Sequence, residues 1–459
     1  MTVKAVLTGA HGPVSQALGA ADWKVQGIDL IGVAIVGGGD VDVPVLARAP
    51  AWEALKLDAT GAEAVVLAGA PTVAITRVVL ERAAESRIRV LLLEEGRVRP
   101  LNLDDLVGLQ LGDVDWARIR ARIAGKRVLV TGGGGSIGAA LARRLSTLDP
   151  ARLTLLDSSE FNLHRISLEL NTASLVLADV RDQRAIKRWF AREKPDIVFH
   201  TAALKQVPLV EQFPSEGVLT NICGLRNVAE AARDAGADMI FVSTDKAVDP
   251  SGVMGASKRL GELYCQALDR GPGPRAISVR LGNVLGSAGS VSPIFERQFA
   301  KGGPLTVTDP SVTRFFLSIP QAADVLLQAA AIGLNADSPR GAALVIDMGE
   351  ALPVVELARD VIRLRGLRPE EDVAITFVGM RPGEKLHEQL ISASETAAPC
   401  GVDGVQAALS APRGLAELGE IMDRLIMLAQ AGDGEAVVES LFAALELPTP
   451  QEALNAARA

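Results

Sequence analysis

The stretch from Arg127 to Leu148 constrains the fold of this chain more than any other. Arg127–Val130 reads as a short apolar strand, Thr131-Gly132-Gly133-Gly134-Gly135-Ser136-Ile137-Gly138 as a glycine turn, and Ala139–Leu148 as a helix. In a turn of this kind Gly132 and Gly135 let the backbone bend tightly and approach a pyrophosphate. Gly138 lets helix and strand pack closely, and the helix N-terminus attracts the anion, so Ser136 and Ile137 belong to the same candidate loop. The next strand, Leu153–Leu156, ends at Asp157, about 20 positions on, where the dinucleotide fingerprint calls for an acid. A carboxylate there accepts hydrogen bonds from both adenosine ribose hydroxyls and repels a 2′-phosphate, which favours NAD over NADP. Asp179 and Val180, after the third strand, are candidates for the adenine contact.

Strand and helix patterns then alternate through Leu175–Leu177, Ile197–His200, Met239–Ser243 and Ala276–Arg280. Such alternation means a parallel sheet covered by helices on both faces. A weaker unit of the same kind opens the chain. Val3–Leu7 runs into Thr8-Gly9-Ala10-His11-Gly12, but the third glycine is missing. With strands at Ala64–Leu67 and Val90–Leu93 and a helix over Ala74–Ser86, it reads as a small Rossmann-like α/β domain whose incomplete turn suits a structural or docking role. The expected organisation is an N-terminal Rossmann-like domain over 1–110, a dinucleotide-binding and catalytic domain over 111–395 with a small substrate subdomain, and a C-terminal helical segment over 396–459 completing the substrate side.

Composition narrows the function classes. The 459 residues are 48% hydrophobic and 22% charged with a net charge of −8, which argues against a nucleic-acid surface. Cys223, Cys265 and Cys400 have no metal-type spacing, and the 4 histidines do not cluster, so no metal site is expected. The longest apolar run, Val25 to Val36, is too short for a membrane span and contains Asp29. No signal segment is evident, and a cytoplasmic location is expected.

The remaining motifs resemble those of the nucleotide-sugar 4,6-dehydratases of the extended short-chain dehydrogenase superfamily, in particular the CapD-type polysaccharide-biosynthesis enzymes that act on UDP-N-acetylglucosamine. Besides Thr131–Gly138 they are His200-Thr201-Ala202-Ala203-Leu204-Lys205-Gln206-Val207-Pro208, Ser243–Pro250, Arg280–Ser287, Thr313–Phe316, Asp347–Gly349 and Arg381–Lys385. The resemblance runs from about residue 103 to 395. Gln206 and Ala288 depart from the histidine and arginine common in the family. Larger members carry membrane helices ahead of the first α/β domain, so a place at the inner face of the cytoplasmic membrane is also compatible with the resemblance.

Most short-chain dehydrogenases use a Tyr-x-x-x-Lys pair. Here Met254 holds the tyrosine position and Lys258 the lysine, and a thioether cannot move a proton. The one tyrosine, Tyr264, is followed four residues on by Leu268. The resemblance places this chain with the retaining dehydratases, which share that methionine. It implies Asp245 as the acid for the departing C6 hydroxyl, Lys246 as the base at C5 with Lys258 lowering its proton affinity, Thr244 at the C4 hydroxyl and Lys258 on the nicotinamide ribose. It also implies Thr201 and Lys205 beside the cofactor, and Lys205, Asn283, Val291, Arg314, Arg381 and Glu384 around the UDP-sugar. A homo-oligomer is expected through helices beside Met254–Ala267. The competing readings are a UDP-sugar 4-epimerase, a C5-inverting dehydratase, and a catalytically idle NAD-binding regulatory module. A surface ion pair is the bland alternative for Asp245 and Lys246.

Overall fold

The computed structural model describes residues 2–69, 71–107 and 114–452. The chain forms two compact units. One comprises 1–108, 290–312 and 352–379, and the other 109–289, 313–351 and 380–459. The expected boundary at 110/111 lies outside the described residues.

The first unit is built on a six-stranded sheet of β1 (Val3–Ala10), β2 (Ile28–Val36), β3 (Val45–Ala49), β4 (Ala64–Leu67), β5 (Arg89–Glu94) and β6 (Arg97–Pro100), ordered β3-β2-β1-β4-β5-β6. All neighbours pair in parallel except β5 and β6. The apolar run that is too short for a membrane span is β2, with Val33, Ala34 and Ile35 fully buried. Helix Val73–Glu85 is capped by the Thr72 side chain, which accepts from the Ile75 N–H. Residues 290–312 and 352–379 add to this unit helices Val291–Ala300 and Val354–Arg363 and the parallel strand pair Leu305–Val307 with Ile375–Phe377. Arg77 on helix Val73–Glu85 donates through Nε to the buried Asp360 of helix Val354–Arg363 at 3.1 Å.

The second unit holds a nine-stranded sheet: β7 (Arg127–Thr131), β8 (Arg152–Asp157), β9 (Ser174–Leu177), β10 (Ile197–His200), β11 (Asp238–Thr244), β12 (Ala276–Leu281), β13 (Ala342–Ile346), β14 (Thr396–Pro399) and β15 (Val405–Leu409). The order is β14-β15-β13-β12-β11-β10-β7-β8-β9. The seven strands from β9 to β13 are parallel, and β15 and β14 are antiparallel at the far edge. Residues 396–459 were expected as helices alone. They begin with these two strands because Val405, Ala407 and Ala408 bury against β13, and helices Leu415–Gln430 and Gly434–Ala444 follow.

The central strands are apolar on both faces, as a sheet covered twice requires. Val128, Val130, Phe199, Ile240 and Val242 join the core shared with helices Ser136–Ser146 and Ile319–Gly333. Leu129, Val198, Met239 and Phe241 join the opposite core with helices Gln183–Glu193, Gly224–Asp234 and Val253–Arg270. Each such side chain contributes about 1.5–3 kcal/mol by its burial. Helix Leu415–Gln430 adds Leu418, Met422 and Leu425 to this second core, which it shares with helix Val253–Arg270. Among the described residues no helix is long and apolar enough to cross a membrane.

Candidate active site

The winding of the second sheet reverses between β7 and β10, and ligands of open α/β sheets bind at that point beyond the carboxyl ends of the strands. The glycine loop leaves β7 there. A Cβ on Gly138 would lie 2.1 Å from the Gly132 carbonyl oxygen, so only glycine lets the helix pack beneath the turn. The helix starts at Ser136, earlier than its apolar pattern suggests, which places Ser136, Ile137 and Gly138 in its first turn. No side chain caps that turn and no acid lies within it, so its backbone dipoles suit an anion.

Asp157, 8% exposed at the end of β8, accepts from the Gly134 N–H at 3.0 Å and the Ser159 N–H at 2.9 Å, one on each carboxylate oxygen. Each oxygen keeps a lone pair for a ribose hydroxyl. Thr201 Oγ1 donates to the Thr131 carbonyl at 2.8 Å and thereby ties β10 to the loop. The Asp179 carboxylate is taken by Arg181, through its backbone N–H at 2.9 Å and its Nε at 3.0 Å. The Val180 carbonyl accepts from Asn227 Nδ2 at 2.9 Å. These residues fit an NAD cofactor, with a bare helix start for the pyrophosphate and an acid for the ribose.

The proton-transfer groups stand at the end of β11. Residues Asp245–Ala247 form a single tight turn led by Thr244. Thr244 Oγ1 donates to Asp245 Oδ1 at 2.8 Å, and Lys246 Nζ donates to the same oxygen at 2.9 Å and to Asn283 Oδ1 at 2.7 Å. Asp245 is fully buried, and its Oδ2 accepts no hydrogen bond. A Cβ on Gly255 would come within 2.2 Å of the Lys246 carbonyl oxygen, so Met254-Gly255 brings the helix start directly against this turn. Met254 is 4% exposed and packs in the core. Glu211 caps the same helix by accepting from the Val253 N–H at 2.7 Å, and burial raises its pKa to about 6.

Lys258 is buried one helical turn beyond Met254. Its Nζ donates to the Val242 carbonyl at 2.9 Å and sits 4.6 Å from the centre of the Phe241 ring, and burial lowers its pKa to about 8. His200 stacks on the other side of the chemistry, 5.9 Å from Phe241, with Nδ1 2.7 Å from Thr131 Oγ1. Burial holds it near a pKa of about 3, with the Lys258 charge adding to the effect, so it is neutral. Like-charge relief of Lys246 was expected from Lys258. Lys385 also stands in this cluster, and its own pKa is lowered by burial and, to a smaller extent, by Lys246.

Asn283 joins this cluster, and Lys205 lies one strand away with its Nζ on Ser287 Oγ at 2.9 Å. Arg314 is 7% exposed and donates through Nη1 to the Thr313 and Leu386 carbonyls, so part of its guanidinium is engaged inside the fold. Arg381 is exposed, and its backbone N–H donates to Glu384 Oε2 at 3.2 Å. Val291 belongs to the first compact unit, at the start of helix Val291–Ala300. Glu388 is a member of the cluster that sequence reasoning missed. Its Oε1 lies 3.7 Å from Lys246 Nζ, and its side chain is 3% exposed. Its one sequence signal is its place three residues after Lys385 in a motif otherwise recognised only as far as Lys385.

A fold with this winding, an acid ending the second strand and a Lys258 ammonium buried beside the β11 turn defines the class of NAD-binding extended short-chain dehydrogenases. More closely, the chain belongs to the polysaccharide biosynthesis protein family, whose model matches residues 128–408. It is 42% identical over 308 residues to a probable polysaccharide biosynthesis protein EpsC of Bacillus subtilis, covering 65% of this chain and 50% of the relative. It is 41% identical over 312 residues to the capsular polysaccharide biosynthesis protein CapD of Staphylococcus aureus, covering 66% and 51%. The chain thus spans about half the length of these curated relatives. A UDP-glucose 4-epimerase of Rickettsia typhi is 36% identical, covering 59% of this chain and 79% of the relative. Among solved structures, Pen from Bacillus thuringiensis matches with a TM-score of 0.56 and 29% identity, over 63% of this chain and 87% of the other. The dTDP-glucose 4,6-dehydratase DesIV of Streptomyces venezuelae, solved as a double mutant with NAD and DAU bound, shares the fold at a TM-score of 0.50 and 24% identity, over 57% and 87%.

Proposed function

We propose that this protein is an NAD-dependent 4,6-dehydratase that converts UDP-N-acetylglucosamine to the UDP-4-keto-6-deoxy sugar with retention at C5, for polysaccharide or glycan assembly. The observation that carries this reading is the hydrogen-bonded run Thr244–Asp245–Lys246 at the end of β11, with the inert Met254 where a tyrosine base would stand. NAD, which the Gly132–Gly138 loop and Asp157 would hold, would supply hydride acceptance at C4 and hydride return at C6.

The residues supply the proton transfers. Oxidation at C4 releases the hydroxyl proton, and loss of water at C6 consumes one. Thr244 hands its own proton to Asp245 while taking the proton of the C4 hydroxyl, which a 2.8 Å hydrogen bond to Asp245 permits. Asp245 starts as the carboxylate paired with Lys246, becomes the acid, and gives that proton to the departing C6 hydroxyl. One proton is thereby moved from the C4 hydroxyl into the departing water molecule, and no tyrosine is required. Lys246 gives its ammonium proton to solvent before reaction, then takes the C5 proton made acidic by the 4-ketone and returns it to the same face after hydride reaches C6, so that it ends as it began. Lys258 and Asp157 hold the two riboses of the cofactor. Arg381, Arg314, Glu384, Asn283 and Lys205 are the proposed UDP-sugar contacts, and the working protein is proposed to be a homo-oligomer.

The test is incubation with UDP-N-acetylglucosamine without added NAD. A 4-keto-6-deoxy product with the starting configuration at C5 is expected by NMR. The inverted C5 product would move the chain to the inverting class. The second reading, a UDP-sugar 4-epimerase, draws on the 36% identity to the Rickettsia protein. It requires a C4-epimer that keeps its C6 hydroxyl, and the same spectrum separates the two.

A further inference from the structure

We infer that Glu388 is a positioning residue that holds the Lys246 ammonium between two carboxylates and thereby favours its protonated form. This inference rests on the assignment of Lys246 as the base. An ammonium has three donors. Asp245 Oδ1 at 2.9 Å and Asn283 Oδ1 at 2.7 Å take two of them. Glu388 Oε1 stands at 3.7 Å, beyond hydrogen-bond length but within ion-pair range. The other oxygen, Oε2, is buried, accepts no hydrogen bond and lies 3.8 Å from Lys385 Nζ. A buried carboxylate oxygen without a donor is costly, so this charge has to be held there by the fold.

The fold holds it from both sides. Two residues before Glu388, the Leu386 carbonyl accepts from Arg314 Nη1 at 3.1 Å and from the Thr313 N–H at 3.0 Å. Two residues after it, the Leu390 carbonyl accepts from Arg280 Nη1 at 2.9 Å. The charged groups around Lys246 are Asp245 on its own turn, Glu388 and Lys385 on the 380–392 segment, and Arg314, whose Nε is 4.0 Å from Glu388 Oε1. Glu211 lines the same pocket, and Asp249 acts on Lys385. Of these, Asp245 is committed to Thr244 and to the proton it relays. When Asp245 is neutral, Glu388 is the carboxylate left facing Lys246. Removing its charge destabilises the ammonium, so Lys246 loses its proton at lower pH.

The experiment labels the full chain with acetic anhydride across a pH series and quantifies the Lys246 peptide by mass spectrometry, with exposed Lys187 as the internal reference. In Glu388→Gln the midpoint for Lys246 is expected to fall by about one pH unit, the scale of an opposite charge removed at this distance. Glu388→Asp, which keeps the charge but withdraws it, should fall between. An unmoved midpoint in folded Glu388→Gln overturns the proposal, because a purely structural glutamate would leave it unchanged. If Glu388→Gln does not fold, Glu388→Asp decides, and a midpoint equal to wild type overturns the proposal. Labelling needs no turnover, so an inactive wild type would refute the dehydratase reading without touching this test.

Discussion

Replacing Glu395 with glutamine should destabilise the second unit by about 3 kcal/mol at neutral pH. Arg280, on β12, pairs with Glu262 and Glu395, and all three side chains are 0% exposed. Arg259 closes the ring, with Nη1 2.7 Å from Glu395 Oε1 and 3.1 Å from Glu262 Oε2. Glu395 accepts from Arg280 Nη1 and Nη2, Arg259 Nη1, Ser410 Oγ and the Ser392 N–H. Burial alone would raise its pKa, but the two arginines win, and it falls from 4.5 to about 2. That shift, at about 1.4 kcal/mol per unit, is worth roughly 3 kcal/mol. Removing one partner of a buried ion pair costs about 3–5 kcal/mol, so the two estimates agree. A depressed acid stabilises the fold above its unfolded pKa and loses that contribution as pH falls through its folded value. The gap between wild type and Glu395→Gln, read from urea unfolding followed by circular dichroism, should therefore be full at pH 7 and shrink between about pH 4.5 and 2. A gap below about 1 kcal/mol at pH 7 would mean that water reaches the ring and that it behaves as a surface cluster.

Asp245→Asn and Lys246→Met should each lower turnover by roughly 10²–10⁴-fold while leaving the cofactor content unchanged, and near-normal turnover in both would move the chemistry elsewhere. Asp157→Ala should weaken NAD more than NADP in equilibrium binding, and equal losses would remove Asp157 from the ribose site. Gly255→Ala puts a methyl group where the Lys246 carbonyl stands, so the turn must shift, and kcat is expected to fall by about 10²-fold with the fold retained by circular dichroism.

The parallel core and the glycine turn were legible because their signals are local. A four-residue apolar strand such as Ile197–His200 and a turn with its helix each announce themselves within a short window. Asp245 and Lys246 were legible because they are adjacent and follow a strand. Glu388 was not, because it meets Lys246 only after more than a hundred residues of intervening chain return to the end of β11. The antiparallel edge was missed for a related reason. Thr396–Pro399 is short, largely exposed and ends in proline, so its strand character comes from pairing with β15 rather than from its own sequence. The division of the chain follows the same logic. Residues 290–312 and 352–379 carry ordinary helical and strand patterns, and nothing in them says that Asp360 meets Arg77.

The two sheets wind alike, and the contrast between their switch points shows where sequence decides function. In the first unit, β1 and β4 part as β7 and β10 do in the second. The second unit places glycines at each step of its loop and leaves the helix start bare beside Asp157. In the first unit His11 opens the helix instead. Its ring lies against Gly39, and Nε2 is 2.8 Å from the Asp40 carbonyl in the loop after β2. The space beside that helix start is thus bridged by a side chain of the protein itself. The same topology thus presents bare backbone at the turn of the second unit and a ring at the turn of the first. In the first unit Arg77 pairs with Asp360, whereas in the second the Asp245–Lys246 pair stands at the end of β11, where the proposed chemistry is centred.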